Sequence, residues 1–189
     1  MNLPNKLTIL RIILVPFCMF FISFNFCQSN EMLHLIFAIV ALVLFSVTSL
    51  TDMLDGKIAR KYNLVTDFGK FLDPVADKLT QLATLVCLAT RFSLMKLLFA
   101  ALALKELTLG ILGLVVVKKT KDVRGANWHG KLTTCLLYLT MALHIFWTDI
   151  PSSVSAALVG ASLAVMLLSF VLYFRRHLRQ LSENRSAEQ

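Results

Sequence analysis

The chain has 189 residues, of which 57% are hydrophobic and 16% charged, and its mean hydropathy is +0.73. Soluble domains carry about 25% charged and about 45–50% apolar residues, so a disordered chain, a disulfide scaffold and an ordinary cytosolic enzyme are excluded and a membrane protein is indicated. The net charge is +8, yet five of the eleven acids (Asp52, Asp55, Asp67, Asp73, Asp77) crowd into residues 52–77, and carboxylates concentrated in a lipid-embedded chain mark a use for them.

A bilayer core takes about 20 mostly apolar helical residues to cross. In the opening, NLPNKLTILR, Pro4 stops any earlier helix and Asn5 can cap an amphipathic entry into the first span, 7–26. Thr8 and Arg11 lie three apart on one face there, and Arg11 reads equally as a snorkelling interface anchor or a ligand contact. The second span, 33–50, is uncharged, and the third, 75–90, is short and charged only at its start. The fourth, 97–117, carries Lys105 and Glu106, which form either a self-neutralising pair or a functional one. Segments 132–147 and 154–174 complete six.

No repeat or linker divides the chain, so residues 1–189 read as one domain: an all-α membrane protein, a six-transmembrane-helix bundle. A cleaved signal peptide is disfavoured, because Arg11 breaks the first apolar run early and no small-residue cleavage site follows Phe26. Sixteen Lys and Arg fall on the side of the termini and of the second and fourth connections, against Arg91 and Lys96 opposite, which predicts cytoplasmic N- and C-termini and a cytoplasmic acidic stretch. Cys18, Cys27, Cys87 and Cys135 read as small apolar residues, and the four scattered His argue against a His-rich metal site.

The acidic stretch reads TDMLDGKIARKYNLVTDFGKFLDPVADKL from Thr51. Asp52 and Asp55 are three apart and Asp73 and Asp77 four apart, so on helices each pair shares a face. A polar connection from Lys61 to Lys70, with Asn63, Thr66, Asp67 and Gly69 as turn and cap candidates, separates the pairs. The second helix is thus expected to run on past Leu50 with one pair, and the third to carry the other back. Four facing carboxylates repel at low dielectric, and two divalent cations cancel that charge. All-oxygen ligation suits Mg²⁺ or Mn²⁺ rather than zinc, and two metals suit in-line displacement at phosphorus. Gly56 and Gly69 allow close approach of a ligand, and Arg60 lies near enough to bind a phosphate oxygen. On residues alone, a solvated loop whose Lys and Asp pair off stays open.

As it stands, the stretch resembles the signature of the CDP-alcohol phosphotransferase family, D-x2-D-G-x2-A-R-x8-G-x3-D-x3-D, at all eight fixed positions: Asp52, Asp55, Gly56, Ala59, Arg60, Gly69, Asp73 and Asp77. The resemblance implies a homodimeric six-helix bundle in which Asp52, Asp55, Asp73 and Asp77 hold two divalent metals. It also implies that Gly56, Ala59, Arg60 and Gly69 bind the cytidine diphosphate part of the donor and that Asp77 is the base for the acceptor hydroxyl. The implied reaction is attack by an alcohol on the lipid-linked phosphorus of CDP-diacylglycerol with release of CMP, at a bacterial plasma membrane and with no nucleic-acid partner.

The opening P-N-x-L-T-x-x-R resembles that of phosphatidylglycerophosphate synthases and CDP-dependent cardiolipin synthases, which favours glycerol 3-phosphate, or else phosphatidylglycerol, as acceptor. An anionic acceptor wants cations, and Arg11, Lys105, Arg124 and Lys131 are the candidates, with the neutral Thr8 as a further acceptor-binding candidate; Lys118, Lys119 and Lys121 read better as a positive-inside loop. Where such synthases show R-E-x5-L-R and G-K-x-K-T, this chain has Gly113 and Thr133 in place of two cations, for which His129 and Arg124 are possible substitutes. A divalent-cation transporter would instead place acids near the bilayer centre, in repeated or broken helices, and a purely structural scaffold would need no acidic cluster.

Overall fold

The computed structural model describes the backbone of residues 3–27, 30–61, 67–120 and 128–187, and the side chains of 8–27, 30–51, 72, 74–116, 119 and 128–183. The described backbone is helical: α1 (Leu3–Cys27), α2 (Glu31–Lys61), α3 (Asp67–Arg91), α4 (Met95–Thr120), α5 (Trp128–Phe146) and α6 (Ser152–Ala187).

Local sequence sets several boundaries. In α1, Pro4 sits in the first turn, where its missing N–H is not needed; the helix therefore starts at Leu3, ahead of the expected cap at Asn5. The Asn30 side chain accepts from the Met32 N–H at 3.0 Å and caps α2. That helix runs to Lys61, past the apolar segment ending at Leu50, as expected. The next begins at Asp67, so Gly69 and Lys70 belong to α3 and the connection is shorter than the expected Lys61–Lys70. An acid at the first position suits the positive end of a helix and favours this early start.

The bundle has two halves, α1 against α2 and α3, and α6 against α4 and α5, joined mainly where α3 meets α4 and where α5 meets α2 and α3. Its core draws on every helix, with Ile22, Phe45, Leu88, Leu102, Met141 and Met166 among the buried residues. Outside, the pattern is that of a lipid-facing surface: Phe17, Phe20, Leu104, Leu107, Ile111 and Leu114 are each more than half exposed. Among the described residues, four helices contain stretches long and apolar enough to cross a membrane: Thr8–Cys27, Glu31–Thr51, Met95–Val116 and Ser152–Glu183. The other two carry shorter apolar runs behind charged or polar openings.

Three connections gather at one end of the bundle. There Asn25 donates to the Ile145 carbonyl at 3.3 Å, His34 Nε2 lies 2.9 Å from Thr148 Oγ1, and Arg91 lies 3.6 Å from Asp149. Successive helices therefore alternate in direction, and the acidic stretch belongs to the opposite end, with the start of α1 and the tail of α6.

The α5–α6 seam is a polar ladder. His144 Nδ1 donates to the Thr140 carbonyl at 2.8 Å, which leaves Nε2 to accept from Ser155 at 2.9 Å. Thr140 meets Ser162 at 2.8 Å, Thr133 Oγ1 lies 3.4 Å from the Val165 carbonyl, and His129 Nδ1 lies 3.2 Å from Ser169. The three serines recur every seven residues, two helical turns, and so stay on one face. Hydrogen bonds between helices in lipid are worth about 0.6 kcal/mol apiece; their larger effect is to fix the register of α5.

Candidate active site

The signature divides between two helices as the spacing implies. Asp52, Asp55, Gly56, Ala59 and Arg60 lie on the last turns of α2, and Gly69, Asp73 and Asp77 on the first half of α3. The side chains of all these except Asp77 lie outside the described residues, as does the connection between the helices. Among the described residues no three His, Cys, Asp or Glu side chains form a metal-binding group.

The Asp77 side chain is 16% exposed. Its Oδ1 accepts from the Tyr138 hydroxyl at 2.8 Å, and Gln81 Nε2, one turn on, donates to both carboxylate oxygens at 3.1 Å. Lys78 Nζ lies 3.5 Å from Oδ2. Lys78 also lies 3.3 Å from Glu106 Oε1, which in turn binds Lys105 Nζ at 2.7 Å. One chain of polar contacts thus runs from Tyr138 on α5 through Asp77 and Lys78 on α3 to Glu106 and Lys105 on α4. In a low-dielectric bundle such contacts are strong, because the alternative is an unsatisfied buried charge.

Lys105 is only 11% exposed and is tied to Glu106. The self-neutralising pair is therefore present, but Glu106 serves two lysines rather than one. Thr8 and Arg11 are fully buried on α1, with Arg11 1% exposed, which is not how a snorkelling anchor sits. Lys131 is exposed on the first turns of α5, and Arg124 lies outside the described residues. Thr133, standing where a cation was expected, is buried and donates to the His129 carbonyl at 2.9 Å.

His129, near the start of α5, faces α6 and lies edge-on to Tyr173 at 4.6 Å between ring centroids. Gly130 beside it leaves room for the Tyr173 ring, since a Cβ there would meet the Tyr173 hydroxyl at 2.6 Å and displace it. Burial pushes the His129 imidazole below its ordinary value, and the positive charges of Arg176 and Lys105 push the same way. A depressed histidine favours the neutral form, so its stabilisation is complete above the ordinary value of about 6.5 and is lost as pH falls through the folded-state value. Thermal unfolding followed downward from about pH 6.5 is expected to show falling stability, and His129→Gln to flatten that fall.

Sequence reasoning overlooked Tyr138, Gln81 and Lys78 as partners of Asp77, and the tail of α6. Gln81 was open to discovery as an amide four residues after an acid. Tyr138 lies 61 residues from Asp77, inside an apolar run, and only its lone polar tip hinted at a partner. On the α6 tail, Arg175, Arg176, Arg179, Gln180 and Glu183 line an open pocket of about 560 Å³.

Comparison with known proteins agrees with the signature. The family model described as CDP-alcohol phosphatidyltransferase matches residues 1–174. A protein of Mycobacterium tuberculosis named "Probable phosphatidylglycerophosphate synthase" is 31% identical, over 95% of this chain and 83% of its own length. Two proteins named "CDP-diacylglycerol--glycerol-3-phosphate 3-phosphatidyltransferase" are also similar. That of Aquifex aeolicus is 34% identical over 92% of this chain and 94% of its own, and that of Bacillus subtilis 40% identical over 70% of each. With the complete signature on α2 and α3 and a family match over nearly all its length, the chain belongs to the CDP-alcohol phosphatidyltransferase family.

Proposed function

We propose that the protein transfers the phosphatidyl group of CDP-diacylglycerol to glycerol 3-phosphate, forming phosphatidylglycerophosphate and releasing CMP. The observation that carries this reading is the complete eight-residue signature in a chain whose near-full-length relatives bear the name of that reaction. The acceptor hydroxyl attacks the lipid-linked phosphorus, a new P–O bond forms, and the bond to the CMP oxygen breaks.

Asp52, Asp55, Asp73 and Asp77 would hold two divalent cations, Mg²⁺ or Mn²⁺. The donor set fits, since all are hard oxygen ligands; among the described residues Asp77 meets a cation, Lys78, only at 3.5 Å. Such cations, when bound, stabilise the entering and leaving oxygens. Gly56 and Gly69 admit the diphosphate close to the backbone, with Ala59 beside them, and Arg60 binds a phosphate oxygen. Asp77 receives the proton of the acceptor hydroxyl. Arg11, Lys105, Arg124 and Lys131 neutralise the acceptor's phosphate, and the Thr8 hydroxyl on α1 donates a hydrogen bond to it.

Residues 1–189 act as one membrane domain with six spans, the two less apolar helices included. The skew of Lys and Arg supports cytoplasmic termini and an active site facing the cytoplasm of a bacterial plasma membrane, and the working unit is a homodimer. Gly113 and Thr133, where cations are usual, favour one second reading: phosphatidylglycerol as acceptor, giving cardiolipin. Offering purified protein CDP-diacylglycerol with glycerol 3-phosphate, phosphatidylglycerol, serine or inositol phosphate in parallel decides between them. Phosphatidylglycerophosphate as the main lipid product is expected, and cardiolipin would establish the second reading.

A further inference from the structure

We infer that Tyr138 is a positioning residue for Asp77, so that α5, which carries none of the signature, is a working wall of the site. The inference rests on the proposed function, because it gives Asp77 a ligand to meet. The Tyr138 hydroxyl donates to Asp77 Oδ1 at 2.8 Å across the α3–α5 contact. The amide of Gln81, one turn on along α3, reaches both oxygens of the same carboxylate at 3.1 Å. Two neutral donors therefore clamp the carboxylate in one orientation without cancelling its charge, which a tight lysine pair would do.

The tyrosine is itself held in two ways. Its ring packs on Phe45 of α2, with centroids 5.3 Å apart and planes inclined at 49°. The backbone that carries it sits between two rungs of the α5–α6 ladder, Thr133 to the Val165 carbonyl on one side and Thr140 to Ser162 on the other. A slip of α5 by one residue would turn the phenol away from Asp77 by about 100°. Register set by the ladder is thereby passed to the carboxylate through one hydroxyl. Donors that orient a metal-binding carboxylate raise affinity by prepaying its rotational freedom, and their loss typically weakens binding or turnover by about 10–100-fold.

The test uses the full chain purified in detergent. Tyr138→Phe removes one oxygen and keeps the ring on Phe45, and Gln81→Met removes the amide clamp at similar volume. Mn²⁺ binding is titrated directly by electron paramagnetic resonance of the free ion, beside kcat and the KM for CDP-diacylglycerol at saturating Mn²⁺. For Tyr138→Phe, Mn²⁺ affinity and kcat are each expected to fall about tenfold while KM stays within about twofold. Gln81→Met is expected to move the same quantities in the same direction. An unchanged Mn²⁺ affinity in Tyr138→Phe, with active unaltered protein, overturns the inference alone, even where kcat falls through lost folding. Unaltered protein that neither binds Mn²⁺ nor releases CMP overturns the proposed function and this inference with it.

Discussion

Asp77→Asn is expected to lower CMP release from CDP-diacylglycerol by about a thousandfold, the scale of losing a positioned acid–base group. The substitution is nearly isosteric, and its amide oxygen still accepts from Tyr138. What disappears is the negative charge, on which both the affinity for a divalent cation and the capacity to take the acceptor's proton depend. Because Asp77 also anchors one end of the polar chain to Glu106, a small loss of stability is expected beside the loss of activity. Lys78 lies 3.5 Å from Asp77 and 3.3 Å from Glu106 and so keeps its second partner. Measuring CMP release and thermal unfolding on the same preparation separates the two effects. Retention of more than about a tenth of the activity would remove Asp77 from the chemistry.

Glu106→Gln is the second large effect, and here stability leads. The carboxylate joins Lys105 at 2.7 Å to Lys78 at 3.3 Å, and its removal leaves two ammonium groups facing one another between α3 and α4. Breaking a fully buried pair costs about 3–5 kcal/mol. With 26% of Glu106 and 30% of Lys78 exposed, the expected cost is lower, about 2–3 kcal/mol. For a chain of this length that corresponds to a fall on the order of 5–10 °C in the unfolding midpoint in detergent. The KM for glycerol 3-phosphate is expected to move as well, because Lys105 loses the group that aims it. A midpoint within about 2 °C of the unaltered protein would show that the triad is not a structural link.

The helices and the distribution of the acids were legible because they depend on local periodicity. Spacings of three and four placed Asp52 with Asp55 and Asp73 with Asp77, and α2 does run past Leu50 to carry the first pair. The apolar runs located all six helices, and the charge at Asp67 marks where α3 starts. The misses arise where tertiary register decides. Ser155, Ser162 and Ser169 look like neutral residues in an apolar segment, and only their pairing with His144, Thr140 and His129 reveals a seam. Tyr138 belongs to the site through an α3–α5 contact that no spacing within one helix encodes. The tail of α6 was missed for another reason: residues 175–187 are too polar to read as part of a span, yet they remain helical to Ala187.

Burial changed the meaning of single charges in the same way. An arginine near the start of an apolar helix is ambiguous in sequence, since its long stem can reach the interface from several depths. Packing of α1 against α2 and α3 encloses Arg11, which makes a role directed inward the consistent one. Thr133 shows the converse. A threonine where a cation was expected could still have faced the acceptor, but its hydroxyl is committed to the His129 and Val165 carbonyls.

The most direct measurement is conversion of radiolabelled glycerol 3-phosphate to lipid by the purified chain, with CDP-diacylglycerol and either Mg²⁺ or Mn²⁺. The predicted result is a labelled phosphatidylglycerophosphate formed in step with CMP, absent without the cation and absent in Asp77→Asn. Folded protein that forms no lipid product from CDP-diacylglycerol with either cation, or forms it equally well with Asp77→Asn, would contradict the account.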